Sequence, residues 1–590
     1  MEHMEKPGRW SLDDLFAEPV DQGLEAAFSR LEQLSVEVEA SRELLTENTS
    51  VEDFNQVVKL LEKLNETTGR LEAYTELLLS EDTQNPAALE LRDRVAQAKT
   101  ESGNRTLFFE LWFKALPEES AQKLIDQSGD LGYFFKTIRQ LKPFTLSELQ
   151  EQMINIKDVN GIEAMVDLYN LIANKLTFAL EVDGEKKILT NDQIAGYVRH
   201  PSPAMRERAY REMYRVFGEN ASVLGQIYLH RVRDWNAEAV DLRGYASPIS
   251  VRNMDNDLPD AVVNTLLDVC RKNKGIFRRY FELKAKWVGL EKLRRYDLYA
   301  PLTKSDKKYD YGFATQIVLE SFRDFSQQVA DLVHGVFDAK HVDSESRLGK
   351  EGGAFCLSAL PHLKPWVMVN YEGRINDIAT LAHEMGHAVH NMLAGGHSVF
   401  NYRAALPLAE TASIFAEMLL TEKMLKQDTD HAIRRELLAS TIDYAYAVIN
   451  RQAYFTIFEC DAYKIIAEGG SVDDLTTVYL ENLHEQFGDT VDVSEEFKWE
   501  WTNIPHIYHV PFYTYAYSFG QLLVLALYQQ YRLEGTAFVP RYLKILSYGG
   551  SAAPMKILSE AGLDVASPEF WQGGFDFISN LITELEGLSA

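Results

Sequence analysis

Apolar residues recur at helical spacing along most of the chain. Leu24, Phe28, Leu31, Leu34 and Val38 form one stripe, and Phe54, Val57, Val58, Leu61 and Leu64 form a second. Leu71 to Leu79 predicts a third helix, and core packing accounts for all three stripes. Alternation is rare. Thr177, Phe178, Leu180 and Val182 alternate, Asp183-Gly184 offers a tight turn, and Lys187-Ile188-Leu189 returns, which predicts a hairpin over 176–189. His200-Pro201-Ser202-Pro203 then breaks the chain ahead of a helix from about Ala204. The main boundary is therefore expected near residue 195, giving an N-terminal helical domain over 1–195 and a second domain over 196–590. Trp366-Val367-Met368-Val369-Asn370-Tyr371 predicts a strand ended by Glu372-Gly373, with further β-structure near Gly352 to Cys356. Beyond residue 400 the pattern is helical to Leu588. The expected class is mostly α with a small β-sheet.

Composition narrows the function. The chain has 590 residues, too many for one core, and length alone suggests roughly three to five domain-sized units. With 46% hydrophobic and 25% charged residues it reads as globular. Lys and Arg total 60 against 88 Asp and Glu, a formal charge of -28, which argues against nucleic acid and anionic membranes as partners. Cys270, Cys356 and Cys460 are too few and too scattered for a disulfide framework or a cysteine-rich metal site, and fit a reducing cytoplasm. Met1 to Pro7 lacks the apolar stretch of a signal peptide, and no run of 18 apolar residues predicts a membrane span.

The chemistry centres on His383-Glu384-Met385-Gly386-His387. Asn376 is expected to cap a helix with Asp377 in its first turn, and Gly395-Gly396 to stop it. Histidines at i and i+4 project from one helical face and can reach one zinc at about 2.0–2.1 Å. Glu384 stands beside them as a general base. A catalytic zinc needs a third protein ligand, and Glu410, in Pro407-Leu408-Ala409-Glu410-Thr411-Ala412-Ser413, is the best candidate. Glu417 lies two turns on and can orient a ligand imidazole. His390 reads as structural or supporting, because a fourth protein ligand would close the site to water, and His397 reads as a loop residue. Zinc lowers the pKa of water towards about 7, and Glu384 would take and return the proton. Residues 505–520 hold His506, His509, Tyr508, Tyr513, Tyr515 and Tyr517. Tyr513 and Tyr517 are placed on one helical face, either as hydroxyl donors in a cleft or as aromatic packing.

His383 to His390, with Glu410-Thr411-Ala412-Ser413 after it, resembles the M3 peptidases and specifically their oligoendopeptidase F branch. Pro505 to Gly520 is similar to that branch's His/Tyr-rich motif, Ser547-Tyr548-Gly549-Gly550-Ser551 to its ending, and Trp10 to Phe16 to its opening. The hairpin and Arg243-Gly244-Tyr245 fit as well, so the resemblance covers nearly the whole chain. It implies a two-lobed helical zincin of gluzincin type, with a small β-sheet beside the active-site helix and a deep channel that admits short peptides. It also implies one Zn2+ per chain held by His383, His387 and Glu410, Glu384 as base, His506 as a catalytic histidine, and Tyr513 and Tyr517 as oxyanion donors. The strand at 366–371 either pairs with substrate backbone or is a plain sheet strand. The expected activity is cleavage of internal bonds in short oligopeptides. The rivals are a zinc carboxypeptidase or dipeptidase of similar fold, which needs a cation for the terminal carboxylate, and a peptide-binding protein without catalysis, which would not need Glu384.

Overall fold

The computed structural model describes residues 2–17, 20–302, 307–427 and 430–588. Contacts divide the chain into two units, each built from three stretches. Unit 1 takes Met1–Pro143, Asp306–Gln427 and Gln530–Leu563, and unit 2 takes Phe144–Ser305, Asp428–Gln529 and Asp564–Ala590. Residue 195 falls inside unit 2. Both units are predominantly helical. Along the chain run α1 (Val20–Ala40), α2 (Val51–Glu81), α3 (Ile162–Lys175), α4 (Pro203–Trp235), α5 (Pro248–Asp255), α6 (Ile375–Leu393), α7 (Thr411–Gln427), α8 (Arg451–Ala467) and α9 (Tyr515–Glu534), among shorter helices. Seven short strands lie among them: β1 (Phe178–Val182), β2 (Glu185–Leu189), β3 (Leu293–Arg294), β4 (Val342–Asp343), β5 (Phe355–Leu357), β6 (Trp366–Met368) and β7 (Val491–Asp492). No described helix is long and apolar enough to cross a membrane. The three cysteines are free thiols.

In unit 1 the stripe at Leu71 belongs to the same helix as the stripe at Phe54, which corrects the expected third helix. Between the two stripes, Thr67 and Thr68 bond back to the Lys63 and Leu64 carbonyls, and Gly69 alone costs only about 1 kcal/mol in a helix. Trp10, Leu15 and Phe16 join α1, α2 and Trp366 in one core, and the Trp366 indole donates to the Ser11 carbonyl at 2.8 Å. The sheet order is β4-β6-β5, with β6 parallel to β4 and antiparallel to β5. β6 is thus the fully buried central strand, with neighbours on both sides. It has no edge to offer a substrate; the edge strand toward α6 is β5.

Helix α6 packs on this sheet and on α7. Its capping group is Asp377, not Asn376. The Asp377 carboxylate reaches back to the N–H groups of Glu372 and Arg374 at 2.8 and 2.9 Å, while Asn376 sits within the first turn. The helix ends at Leu393, with the Gly395 N–H returning to the Met392 carbonyl. A β-carbon at Gly386 would lie 2.5 Å from the Ala412 carbonyl oxygen and 2.6 Å from Ser413 Cα, so the backbones meet there with no room for a side chain.

In unit 2 the hairpin forms with Phe178 opposite Leu189 and Val182 opposite Glu185. Asp183 and Gly184 both have positive φ, at 55° and 80°, as a two-residue turn of this hand requires. Helix α4 starts with Pro203 in its first turn, as the Pro-Ser-Pro break predicts, and Glu212 accepts the Ala179 N–H at 2.8 Å to fix the hairpin to it.

Gly386→Ala is expected to destabilise the protein by about 1–3 kcal/mol through overpacking. Gly396→Ala, with open space at its β-carbon, stays within about 0.5 kcal/mol of the parent. Denaturation midpoints of the two variants check this.

Candidate active site

Unit 1 brings five of the sequence-predicted residues together. His383 Nε2 and His387 Nε2 each lie 3.3 Å from Glu410 Oε2, and the two rings cross at 79° with centroids 4.9 Å apart. One ligand atom from each of the three residues falls within 4.8 Å of the others. In a tetrahedral site with bonds of 2.0–2.1 Å, neighbouring ligand atoms stand about 3.4 Å apart. The separations and the donor set of two imidazole nitrogens and a carboxylate therefore fit a zinc ion. Asp158, Asp234 and Glu238 also converge, but they are carboxylates only, and Glu238 holds Arg243 at 2.7 Å.

Glu410 reaches this place through a pinned loop. It stands between the helical turn Leu406–Ala409 and α7. Upstream, the Gly550 N–H donates to the Asn401 carbonyl, and Asn401 donates to the Asp130 carbonyl, both at 2.9 Å. Tyr402 and Arg403 donate to the Ser358 carbonyl. His397 is on the loop, as expected, and bridges Asp130 and the Ser547 carbonyl. A β-carbon at Gly549 would sit 2.4 Å from the Tyr402 carbonyl oxygen, which accounts for glycine there.

Supporting contacts fix the donors. Glu417 Oε1 lies 2.6 Å from His383 Nδ1, which leaves Nε2 as the nitrogen facing Glu410. Ser413 donates to Glu410 Oε2 at 2.6 Å, a contact the sequence reading missed although the i, i+3 spacing offered it. His390 is buried and donates to the Ala409 carbonyl, outside the cluster; burial and the neighbouring His387 push it down to about 4. Cys356 was also missed. Its thiol, pushed up by burial, sits beside Glu384, brought there by the packing of β5 on α6.

The electrostatics favour a cation at the cluster. Burial opposes charge on His383, but Glu410 and Glu417 outweigh it and raise the imidazole to about 10. Burial likewise opposes charge on Glu410, yet His383 and His387 hold it well below the usual carboxylate range. Glu384, 6% exposed, moves the other way: burial lifts it above the usual range, with the two histidines opposing and Glu410 and Glu417 adding to the rise.

Unit 2 brings together His506, Tyr513 and Tyr517. The Tyr517 hydroxyl is 3.4 Å from His506 Nε2, and the two tyrosine rings meet edge to face at 5.1 Å. They do not share a helix. A short helix, Pro505–His509, ends before Pro511, and Tyr513 precedes α9, which carries Tyr517. Tyr508 and Tyr515 are wholly buried: Tyr508 stacks on Tyr169 at 3.8 Å, and the Tyr515 hydroxyl accepts from Asn256 at 2.8 Å. Tyr513 and Tyr517 keep partial exposure.

Comparison with known proteins bears on both units. Residues 197–577 match the sequence model of Peptidase family M3. The chain is 26% identical to oligopeptidase PepF of Bacillus subtilis (strain 168), over 98% of this chain and 87% of that one. It is 24% identical to an oligoendopeptidase F homolog of Lactococcus lactis subsp. lactis (strain IL1403), over 98% and 97%. Among solved structures, a chain from Chlamydophila abortus has the same fold, with TM-score 0.88, 22% identity and 98% coverage of both chains. Oligoendopeptidase-F from Enterococcus faecium also aligns, with TM-score 0.72, 21% identity and coverage of 96% and 99%.

Glu417→Ala is expected to weaken zinc affinity about 10- to 100-fold by freeing the His383 ring. Glu410→Ala weakens it further. Competition with a chromogenic chelator measures both.

Proposed function

The chain belongs to peptidase family M3, and on that premise we propose that it is a zinc-dependent endopeptidase acting on internal bonds of short oligopeptides. In this reading His383, His387 and Glu410 hold one zinc ion per chain, in a gluzincin-like helix pair. The observation that carries it is the convergence of two Nε2 atoms and Glu410 Oε2 at 3.3 Å. A bound zinc supplies Lewis acidity, lowering the pKa of water towards about 7 and polarising the scissile carbonyl.

The chain's own residues do the rest. Glu384 takes the proton from the attacking water as the oxygen–carbon bond forms, and passes it to the amine nitrogen as the carbon–nitrogen bond breaks. Its raised affinity for protons suits a base that must also act as an acid. Glu417 holds His383 by Nδ1, and Ser413 holds the Glu410 carboxylate. We read His506, Tyr513 and Tyr517 as hydrogen-bond donors to the substrate; Tyr513 and Tyr517 are the tyrosines of that segment that keep partial exposure. β5, an outer strand of its sheet with Cys356 close to Glu384, is suited to pair with an extended peptide backbone. Free thiols favour a cytoplasmic setting.

The test is an internally quenched peptide with both ends blocked, followed by mass spectrometry, with zinc content measured on the same sample. Internal cleavage is expected; a strict need for a free C-terminus would make the protein a carboxypeptidase. Glu384→Gln should lower kcat by about 100- to 10,000-fold while peptide binding persists. Equal behaviour of parent and variant would make it a peptide-binding protein.

A further inference from the structure

Helix α8 turns one stripe of side chains to residues 510–514. Thr456 and Thr514 share a hydroxyl hydrogen bond at 2.8 Å, Glu459 Oε1 accepts the Phe512 N–H at 2.9 Å, and the Tyr463 ring lies 4.6 Å from that of Phe512. The positions are i, i+3 and i+7, one face of the helix. Two more groups grip the same segment from other helices: Arg231 of α4 donates to the Tyr508 carbonyl, and Arg252 of α5 donates to the Pro511 carbonyl.

The backbone they hold is strained. Phe512 has φ 57°, in the left-handed region, which costs a residue with a β-carbon about 1–2 kcal/mol. Glycine would relieve this, but the Phe512 ring is buried, so its packing commits the turn to a side chain. Strain of this kind persists only where the surroundings over-determine it. Glu459 is the group that bonds to the strained residue itself. Its side chain is fully buried, and Oε2 has no partner. A carboxyl buried with one hydrogen bond destabilises relative to an apolar side chain of the same size. The next residue after the turn is Tyr513, whose ring meets Tyr517.

We infer that Glu459 is a positioning residue, holding the Phe512 turn so that Tyr513 leaves it in a fixed direction beside Tyr517 and His506. The inference rests on the reading of Tyr513 as a substrate-binding group. Burial pushes the Glu459 carboxyl up to about 8, with the Phe512 N–H, Arg252 and Arg231 opposing; Tyr228, Tyr463 and Cys460 face it as well. At neutral pH it is therefore mostly the protonated acid, and glutamine is its close mimic.

Three substitutions in the zinc-loaded protein, two at Glu459 and one at Tyr513, test this. Glu459→Leu is expected to lower kcat about 10- to 100-fold, the scale of a displacement near 1 Å, with KM nearly unchanged. Glu459→Gln should restore kcat to within about threefold of the parent. Amide hydrogen exchange over 510–514 should be slow in the parent and in Gln, and fast in Leu. In a Tyr513→Phe background the Leu substitution should cost less than about twofold more. Slow exchange in Leu, parent-like kcat despite fast exchange, or full additivity with Tyr513→Phe each overturns the inference. If the Leu variant does not fold, Gln decides alone: a fall in kcat beyond about tenfold, or fast exchange, overturns it. Tyr513→Phe with parent kcat would instead sink the catalytic reading of that tyrosine, while the exchange result still judges Glu459.

Discussion

The backbone of α6 at Gly386 approaches the chain at Ala412–Ser413 so closely that no β-carbon fits, and the geometry of the unit 1 cluster depends on that approach. Gly386 stands one residue before His387 and two after Glu384. Ala412 and Ser413 stand two and three after Glu410. The same contact therefore sets the height of both histidines and of the carboxylate that meets them. A wider gap between the helices would lengthen the 3.3 Å separations that suit a small tetrahedral ion. Ser413, fixed at the contact, also donates to Glu410 Oε2, so one close approach positions both the backbone and the Glu410 carboxylate.

Around that cluster the same burial acts differently on each carboxylate. Glu410 accepts from two imidazoles and is held ionised; in Glu384 burial outweighs the two neighbouring histidines and raises the carboxyl. Pairs of titrating groups driven apart by their surroundings are the usual mark of divided acid–base roles. Glu417 completes the pattern by taking the far nitrogen of His383. Two glutamates are thus bonded to the imidazoles, and the third is raised by burial beside them.

What the sequence made legible was local. The i, i+4 histidines, the Asp183-Gly184 turn and the Pro203 helix start all follow from interactions within a few residues, and each stands where it was expected. The errors are also local, and each has a cause. Asp377 outcompeted Asn376 as the cap because its carboxylate, one position further into the helix, accepts from the Glu372 and Arg374 N–H groups at once. The helix through Gly69 survived because its threonines bond back to the helix itself instead of breaking it. Tyr513 and Tyr517 meet without sharing a helix because Pro511 interrupts one. Glu410 could be picked out as an acidic residue on an apolar stretch, but the groups that aim it could not. Asp130 and Gly549–Gly550 lie far from it in sequence, and nothing in their local pattern marks them, or the nearer Asn401 and His397, as partners.

That distance follows from how the chain is shared between the units. Unit 1 draws on 1–143, 306–427 and 530–563, and the helix pair α6–α7 sits wholly in the middle stretch. Besides Ser358, supports for the Glu410 loop come from the other two: Asp130 from the first, Ser547, Gly549 and Gly550 from the last. The helix pair can form early from contacts close in sequence, but the loop that carries Glu410 is pinned only once both flanking stretches have returned. Contacts of such long separation are slow to form, because the entropy of closing the intervening chain is lost before they contribute. The histidines are therefore specified by the helix they stand on, whereas Glu410 is specified by the completed unit, and its geometry reports on the packing of the whole unit rather than on the motif.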